Sequence, residues 1–133
     1  MKALDTNVLI RFLTRDDEEQ AEAVYTIFKR AETGRKPLFV PLVVALEVVW
    51  VLESVYDVAR KDVLASFESL LLMPILEFED HAAIRRFIAL GRESKIDLAD
   101  LLIAAAAQSS GCKVILTFDK AAAKSNLFEL IAP

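Results

Sequence analysis

The first ten residues, MKALDTNVLI (residues 1–10), place three polar side chains between two apolar segments. Residues 2–5 have the composition of a short strand, and residues 8–13 have that of a helix. A strand that turns directly into a helix is the repeating step of α/β proteins. Asp5, Thr6 and Asn7 therefore lie where the strand ends, at the edge on which open α/β sheets bind their ligands.

Strands and helices alternate along the rest of the chain. Further strands are predicted at residues 38–41, 74–78, 113–118 and 127–131, and helices at residues 16–34, 43–56, 57–72, 80–94, 98–110 and 120–124. This alternation favours a three-layer α/β/α fold with a mainly parallel central sheet. A length of 133 residues suits one domain, so we expect a single domain over residues 1–133.

The composition is strongly apolar, with 55% hydrophobic residues and a mean hydropathy of +0.39. The predicted helix at residues 43–56 is apolar on almost every side, which is typical of a helix in the core or at a subunit contact. No stretch reaches the roughly 20 apolar residues that span a bilayer, and the N-terminus has no secretory pattern. We therefore expect a cytoplasmic protein without a membrane segment. The one cysteine, Cys112, fits a reducing compartment and is predicted to be buried.

The net charge is -4, from 20 acidic and 16 basic residues. Proteins that bind nucleic acid usually carry an excess of Lys and Arg, so this value at first argues against such a partner. If four acidic side chains surround metal ions, however, the remaining charges balance. The net charge therefore neither supports nor excludes a nucleic-acid partner.

Two predicted strands end in the same residue type, Asp5 after residues 2–4 and Asp119 after residues 114–118. If these strands run parallel, both carboxylates reach the same edge of the sheet. Thr6, Asn7 and Thr117 are their neighbours and are expected to orient them through hydrogen bonds.

Two more acidic residues stand in the first turns of apolar helices. Glu47 follows Leu46 and precedes two valines, and Asp100 begins the apolar run at residues 101–107. Several buried carboxylates disfavour one another's ionisation unless a cation is present, and an all-carboxylate set favours Mg²⁺ or Mn²⁺. Asp97 and Asp100 are also spaced as a helix-capping pair, so Asp97 is either a cap or an accessory acid.

Other kinds of site are excluded by what the sequence lacks. One histidine, His81, cannot provide two-histidine ribonuclease chemistry or a histidine-rich zinc site. The three glycines form neither a phosphate-binding loop nor a dinucleotide-binding motif. The kind of site that these absences leave open is one for metal-assisted chemistry on an anionic substrate.

Four segments in order, LDTNVLI, VALEVVWVL, DLADLLIAAAA and ILTFD, together resemble the PIN-domain family. The resemblance spans essentially the whole chain, and the short length is similar to that of VapC-type toxins from toxin–antitoxin pairs. It implies a PIN-like fold and a Mg²⁺- or Mn²⁺-dependent endoribonuclease. The implied substrate is structured RNA of the tRNA or rRNA class, and the implied partners are a second copy of the chain and a small antitoxin.

The resemblance also implies roles for individual residues. It assigns the catalytic and metal-binding roles to four acids, Asp5, Glu47, Asp100 and Asp119, and supporting roles to Asn7 and Thr117. Four basic residues follow the strand-end acids along the chain and are candidate phosphate contacts: Arg11, Arg15, Lys120 and Lys124.

Three other functions stay open on the residues alone. An aspartyl phosphatase would use Asp5 as its nucleophile, although that chemistry ordinarily needs a second acid where this chain has Asn7. A phospho-accepting signalling domain would need an Asp at the end of a central strand, and residues 38–41 end without one. A non-catalytic α/β interaction module would require the acids to be helix caps.

Overall fold

A computed structural model describes every residue from Met1 to Pro133. The α-helices are α1 (Thr6–Thr14), α2 (Glu18–Gly34), α3 (Leu42–Ser54), α4 (Arg60–Leu71), α5 (His81–Glu93) and α6 (Leu98–Ser109). The strands are β1 (Lys2–Ala3), β2 (Leu38–Val40), β3 (Leu76–Phe78), β4 (Ile115–Thr117) and β5 (Phe128–Leu130), and a 3-10 helix forms at Ala122–Lys124.

The chain divides into two compact units, Met1–Glu79 and Asp80–Pro133. In the first unit β1, β2 and β3 form a parallel sheet in that order, so β2 is the central strand. The pairing sets Lys2 beside Leu38, and Leu38 beside Leu76. Because all three strands run the same way, the residues that follow them emerge at one edge of this sheet.

Three of the four helices of the first unit, α1, α2 and α3, begin at a residue suited to that position, whereas α4 follows Ala59 without a side-chain cap. Asp5 caps α1, and Asp17 caps α2 by accepting a hydrogen bond from the Gln20 backbone N–H at 3.0 Å. Pro41 precedes α3, where its missing N–H has no intrahelical partner to lose. The side chains of Leu9, Val48 and Phe67 are completely or almost completely buried. Burial of this apolar surface is the main stabilising contribution in the unit.

The second unit pairs β4 with β5 in parallel and packs α5 against α6. A small apolar cluster forms around Ala104 of α6, Ala122 of the 3-10 helix and Phe128 of β5. Ile96, just before α6, packs against the same cluster. The cluster therefore holds the start of α6 close to the segment that follows β4.

The elements agree closely with the sequence-based predictions, and every observed strand pair is parallel as predicted. One prediction is wrong: Cys112 is exposed, because it lies in the turn that leaves α6 after Gly111, whose φ is +93°. Helix α3 is buried on one face, but Val43 and Trp50 of its other face are 73% and 58% exposed. No helix is both long and apolar enough to cross a membrane.

Candidate active site

Asp5 lies in the short connection between β1 and α1 and immediately precedes α1. Its Oδ1 accepts a hydrogen bond from the Asn7 backbone N–H at 3.2 Å, and its backbone is extended, so it is the N-cap of α1. Asn7 therefore supports Asp5 through its main chain. The Asp5 side chain is exposed, which leaves its carboxylate open to solvent and to ligands.

Thr6 joins the start of α1 to α3. Its side chain is buried, and its hydroxyl Oγ1 donates a short hydrogen bond to Oε1 of Glu47. Glu47 itself is an exposed residue, one turn into α3. Two consecutive residues thus contribute to two different carboxylates: Asp5 carries one, and Thr6 holds the Glu47 carboxylate in place.

Glu79 is a third carboxylate at this edge that the sequence analysis did not select. It follows β3 directly, and its Oε1 accepts a hydrogen bond from the Leu42 backbone N–H at 2.9 Å. Pro41 makes no side-chain cap, so Glu79 caps α3 in its place and its negative charge suits the helix N-terminus. The same strand-end rule that selected Asp5 would have found it.

In the second unit three carboxylates line one cavity of about 510 Å³. They belong to Asp97 and Asp100 at the start of α6 and to Asp119 after β4. Lys95 and Lys124 line the same cavity. The predicted convergence of Asp100 with Asp119 is present in this unit, and Asp97 and Lys95 are additions to the predicted set.

Asp100 has a pKa above its ordinary value. Burial of the carboxyl group is the main cause, and the negative charges of Asp97 and Asp119 raise the pKa further. A cation in this cavity would oppose all three effects, since it would favour the ionised form of each carboxylate.

Asp97 does not behave as the cap that its spacing suggested. It occupies the N-cap position of α6, but its side chain makes no capping hydrogen bond. Its carboxylate lines the cavity instead. This arrangement argues against the reading of Asp97 as a helix cap alone.

Asp119 is fixed by its own loop. Its Oδ1 accepts hydrogen bonds from the backbone N–H groups of Ala121 and Ala122, at 2.9 and 3.2 Å. The Thr117 hydroxyl in turn accepts a hydrogen bond from the Asp119 N–H at 2.9 Å. The Thr117 side chain therefore supports Asp119 by holding the Asp119 main chain, which sets the direction in which the carboxylate leaves the strand.

The four basic residues selected from the sequence differ in their surroundings. Lys124 lines the acidic cavity, and Lys120 does not. Arg15 forms ion pairs with Glu18 and Glu22, at 3.5 and 3.2 Å.

Arg11 is held in a polar network between α1, α2 and the end of α3. Its Nε donates to Gln20 Oε1 at 2.6 Å, and its Nη1 donates to the Tyr56 hydroxyl at 3.1 Å and to Asp16 Oδ1 at 3.3 Å. The Tyr56 hydroxyl donates to the other Asp16 oxygen at 2.6 Å. Arg11 thus has protein partners for several of its donors, and any contact with phosphate would compete with them.

The carboxylates fit a hard divalent cation by their chemistry, but they do not form a closed cage. No group of three or more His, Cys, Asp or Glu side chains has an arrangement that could hold a metal ion. Mg²⁺ does not require such a cage, since it usually keeps several waters and binds to one or two carboxylates together with substrate phosphates. The donor set of the cavity is therefore compatible with Mg²⁺ bound jointly with an anionic substrate.

Comparisons with known proteins agree with the resemblance noted in the sequence. The sequence model of the PIN domain family matches residues 2–125. A VapC ribonuclease from Aquifex aeolicus (strain VF5) is 32% identical over 120 residues, which cover 90% of this chain and 88% of that protein.

Proposed function

We propose that this chain, which belongs to the PIN domain family, is a Mg²⁺- or Mn²⁺-dependent endoribonuclease and the toxin of a toxin–antitoxin pair. Family membership gives it the PIN-like α/β fold, and we propose that residues 1–133 act as one domain in the cytoplasm. The observation that carries the proposal is the cavity lined by Asp97, Asp100 and Asp119, in which burial and the two neighbouring charges raise the pKa of Asp100. The VapC ribonuclease similarity supports RNA as the substrate.

Asp100 and Asp119, with Asp97 beside them, are the residues that would hold the cation in the second unit. When bound there, the ion supplies water activation and stabilises charge that develops on phosphate oxygens. We include Asp5 and Glu47 in the same reaction because they match the acidic motifs of the family. All four predicted acids are therefore proposed to be required for cleavage.

Other side chains are proposed to position the acids or to bind the RNA. Thr6 fixes the direction of the Glu47 carboxylate through its hydrogen bond. Lys95 and Lys124 line the acidic cavity, which supports them as contacts to the negative charge of an RNA phosphate. Lys120, which follows Asp119 in the sequence, is proposed as a further contact. Arg11 and Arg15 stay candidates for phosphate binding at the start of the first unit.

An RNA-cleavage assay tests the proposal. The wild-type protein is expected to cleave structured RNA of the tRNA or rRNA class with Mg²⁺ or Mn²⁺ and to lose activity with chelator. Asp5→Asn and Asp100→Asn should each reduce cleavage by at least about a hundredfold, since each removes a charge from the reaction. Asp62→Asn, an exposed carboxylate on α4, is the matched control and should cleave normally. Activity that persists in both variants and in chelator would rule the mechanism out.

We further propose that the chain forms a homodimer through α3 and binds a small antitoxin. Val43 and Trp50 are seven residues apart on one face of α3 and are largely exposed. Large apolar side chains that are exposed together commonly mark a protein contact. Sedimentation should give a dimer at micromolar concentration and a monomer after Trp50→Glu. A monomeric wild-type protein would refute this contact.

A further inference from the structure

A second cavity, of about 380 Å³, lies at the opposite end of the first unit's sheet from Asp5. Lys2, Arg30 and Lys36 line it: Lys2 begins β1, Arg30 lies on α2, and Lys36 comes shortly before β2. None of the lining residues is acidic, although acidic residues outnumber basic ones by 20 to 16 in the whole chain. The positive charge here is therefore a local feature.

The three cations have no partner within the protein. All three residues are exposed, and none forms an ion pair. Basic side chains in the last turn of a helix interact favourably with the helix dipole, but α2 has no basic residue in its last turn, so the dipole does not explain Arg30. It does not explain Lys2 either, because Lys2 belongs to a strand. Three like charges around one depression repel one another, and an anion between them would reverse this repulsion.

The rest of the lining is apolar. Ile27 and Pro37 are exposed and provide hydrophobic surface, and the buried Leu38 completes the lining. Cations above an apolar surface suit a nucleotide, whose phosphate is charged and whose base presents flat faces. A carboxylate-bearing peptide would satisfy the cations but would have less use for the apolar surface.

We propose that this cavity, which we call the basic pocket, binds a nucleotide of the RNA chain outside the cleavage site, with its phosphate held by Lys2, Arg30 and Lys36. The inference rests on the proposed ribonuclease function for the identity of the ligand. Lys2 and Asp5 are three residues apart along the chain, about 10 Å at the usual strand rise.

The test compares two triple variants that remove the same charges. The pocket variant removes the positively charged side chains of the basic pocket through three substitutions, Lys2→Gln, Arg30→Gln and Lys36→Gln. The control variant carries Lys61→Gln, Arg85→Gln and Lys113→Gln. These three residues are also exposed, and they are likewise two lysines and one arginine. The probe is a fluorescein-labelled 30-nucleotide oligoribonucleotide of mixed sequence, and binding is measured by anisotropy in EDTA over a series of salt concentrations.

The pocket variant should bind the probe roughly tenfold or more weakly at 0.15 M salt, and the slope of log affinity against log salt should fall by about 0.7, as expected for one lost phosphate contact to a single strand. The control variant should change the slope by less than about 0.2. Equal losses in both variants, or no loss in either, would overturn the proposal. Circular dichroism of each variant establishes that the fold is retained.

Two further measurements separate this inference from the proposed function. If the wild-type protein cleaves RNA with Mg²⁺ but the pocket variant binds the probe normally, the basic pocket is refuted and the function stands. If the pocket variant loses binding but no protein cleaves RNA with either metal, the function is refuted and the pocket stands. A 15-residue polyglutamate peptide that binds the wild type more tightly than the RNA probe would instead assign the basic pocket to an acidic protein segment and refute the RNA assignment.

Discussion

Replacement of Thr6 by valine tests whether the hydroxyl of this residue positions Glu47. Valine keeps the shape of the buried side chain and removes the donor to Glu47 Oε1. A hydrogen bond to a charged group contributes roughly 1.5–3 kcal/mol. Glu47 is exposed and regains water when the bond is lost, so we expect the low end, about 1.5 kcal/mol of unfolding free energy. For a chain of this size that is a fall in Tm of about 3 to 6 °C.

The same substitution should reduce RNA cleavage by about tenfold, the equivalent of roughly 1.4 kcal/mol in the barrier. Urea unfolding and metal-dependent cleavage are measured for Thr6→Val, for Thr6→Ser as the control that keeps the hydroxyl, and for both changes in a Glu47→Gln background. Because the two residues act through one hydrogen bond, their effects should not add. Additive losses of activity, or a serine variant as impaired as valine, would refute the positioning role.

Three other predictions concern the stability of the fold. Phe87→Ala should lower the unfolding free energy by about 3 to 5 kcal/mol in a urea titration, since this ring is completely buried in α5 and its removal leaves a cavity. Asp17→Ala should lower the unfolding free energy by about 1 kcal/mol because α2 loses its cap. Asp17→Asn should keep most of the stability that the cap provides, since asparagine also caps helices. The pKa of Asp16 is lowered chiefly by the Tyr56 hydroxyl, so Tyr56→Phe should move it upward in a carboxyl-detected NMR titration. A depressed carboxyl pKa adds stability at pH values above its unfolded value, and that stability is lost as the pH falls through the folded pKa. The variant should therefore lose less stability than the wild type on acidification below about pH 4, and an unchanged Asp16 titration would exclude the Tyr56 contact as the cause.

The elements of the fold were predictable because the relevant signals are local. Helix α6 is an apolar run that ends at Ser109, two residues before Gly111, and β1 is followed two residues later by Asp5, which caps the next helix. The order of the strands in each sheet was not predictable in the same way, since strand order depends on contacts between distant segments.

The candidate site was predictable to the extent that it follows from strand ends. Asp119 was found by that rule, and Glu79 satisfies it equally but caps α3. The role of Asp97 could not be read from its spacing, because a side chain at an N-cap can either bond the helix or turn away from it. Lys95 reaches the cavity through the course of the segment before α6, which no sequence pattern specifies.

The adjacency of Asp5 and Thr6 has a consequence for genetic screens. A selection for chains that degrade RNA poorly should recover substitutions at both positions, with the larger losses at Asp5. One group would have lost a carboxylate, and the other would keep every proposed acid but carry the Glu47 carboxylate out of alignment. Chemical rescue by added carboxylates such as acetate or formate would distinguish the two groups, since small anions can replace a missing side chain but cannot realign an existing one.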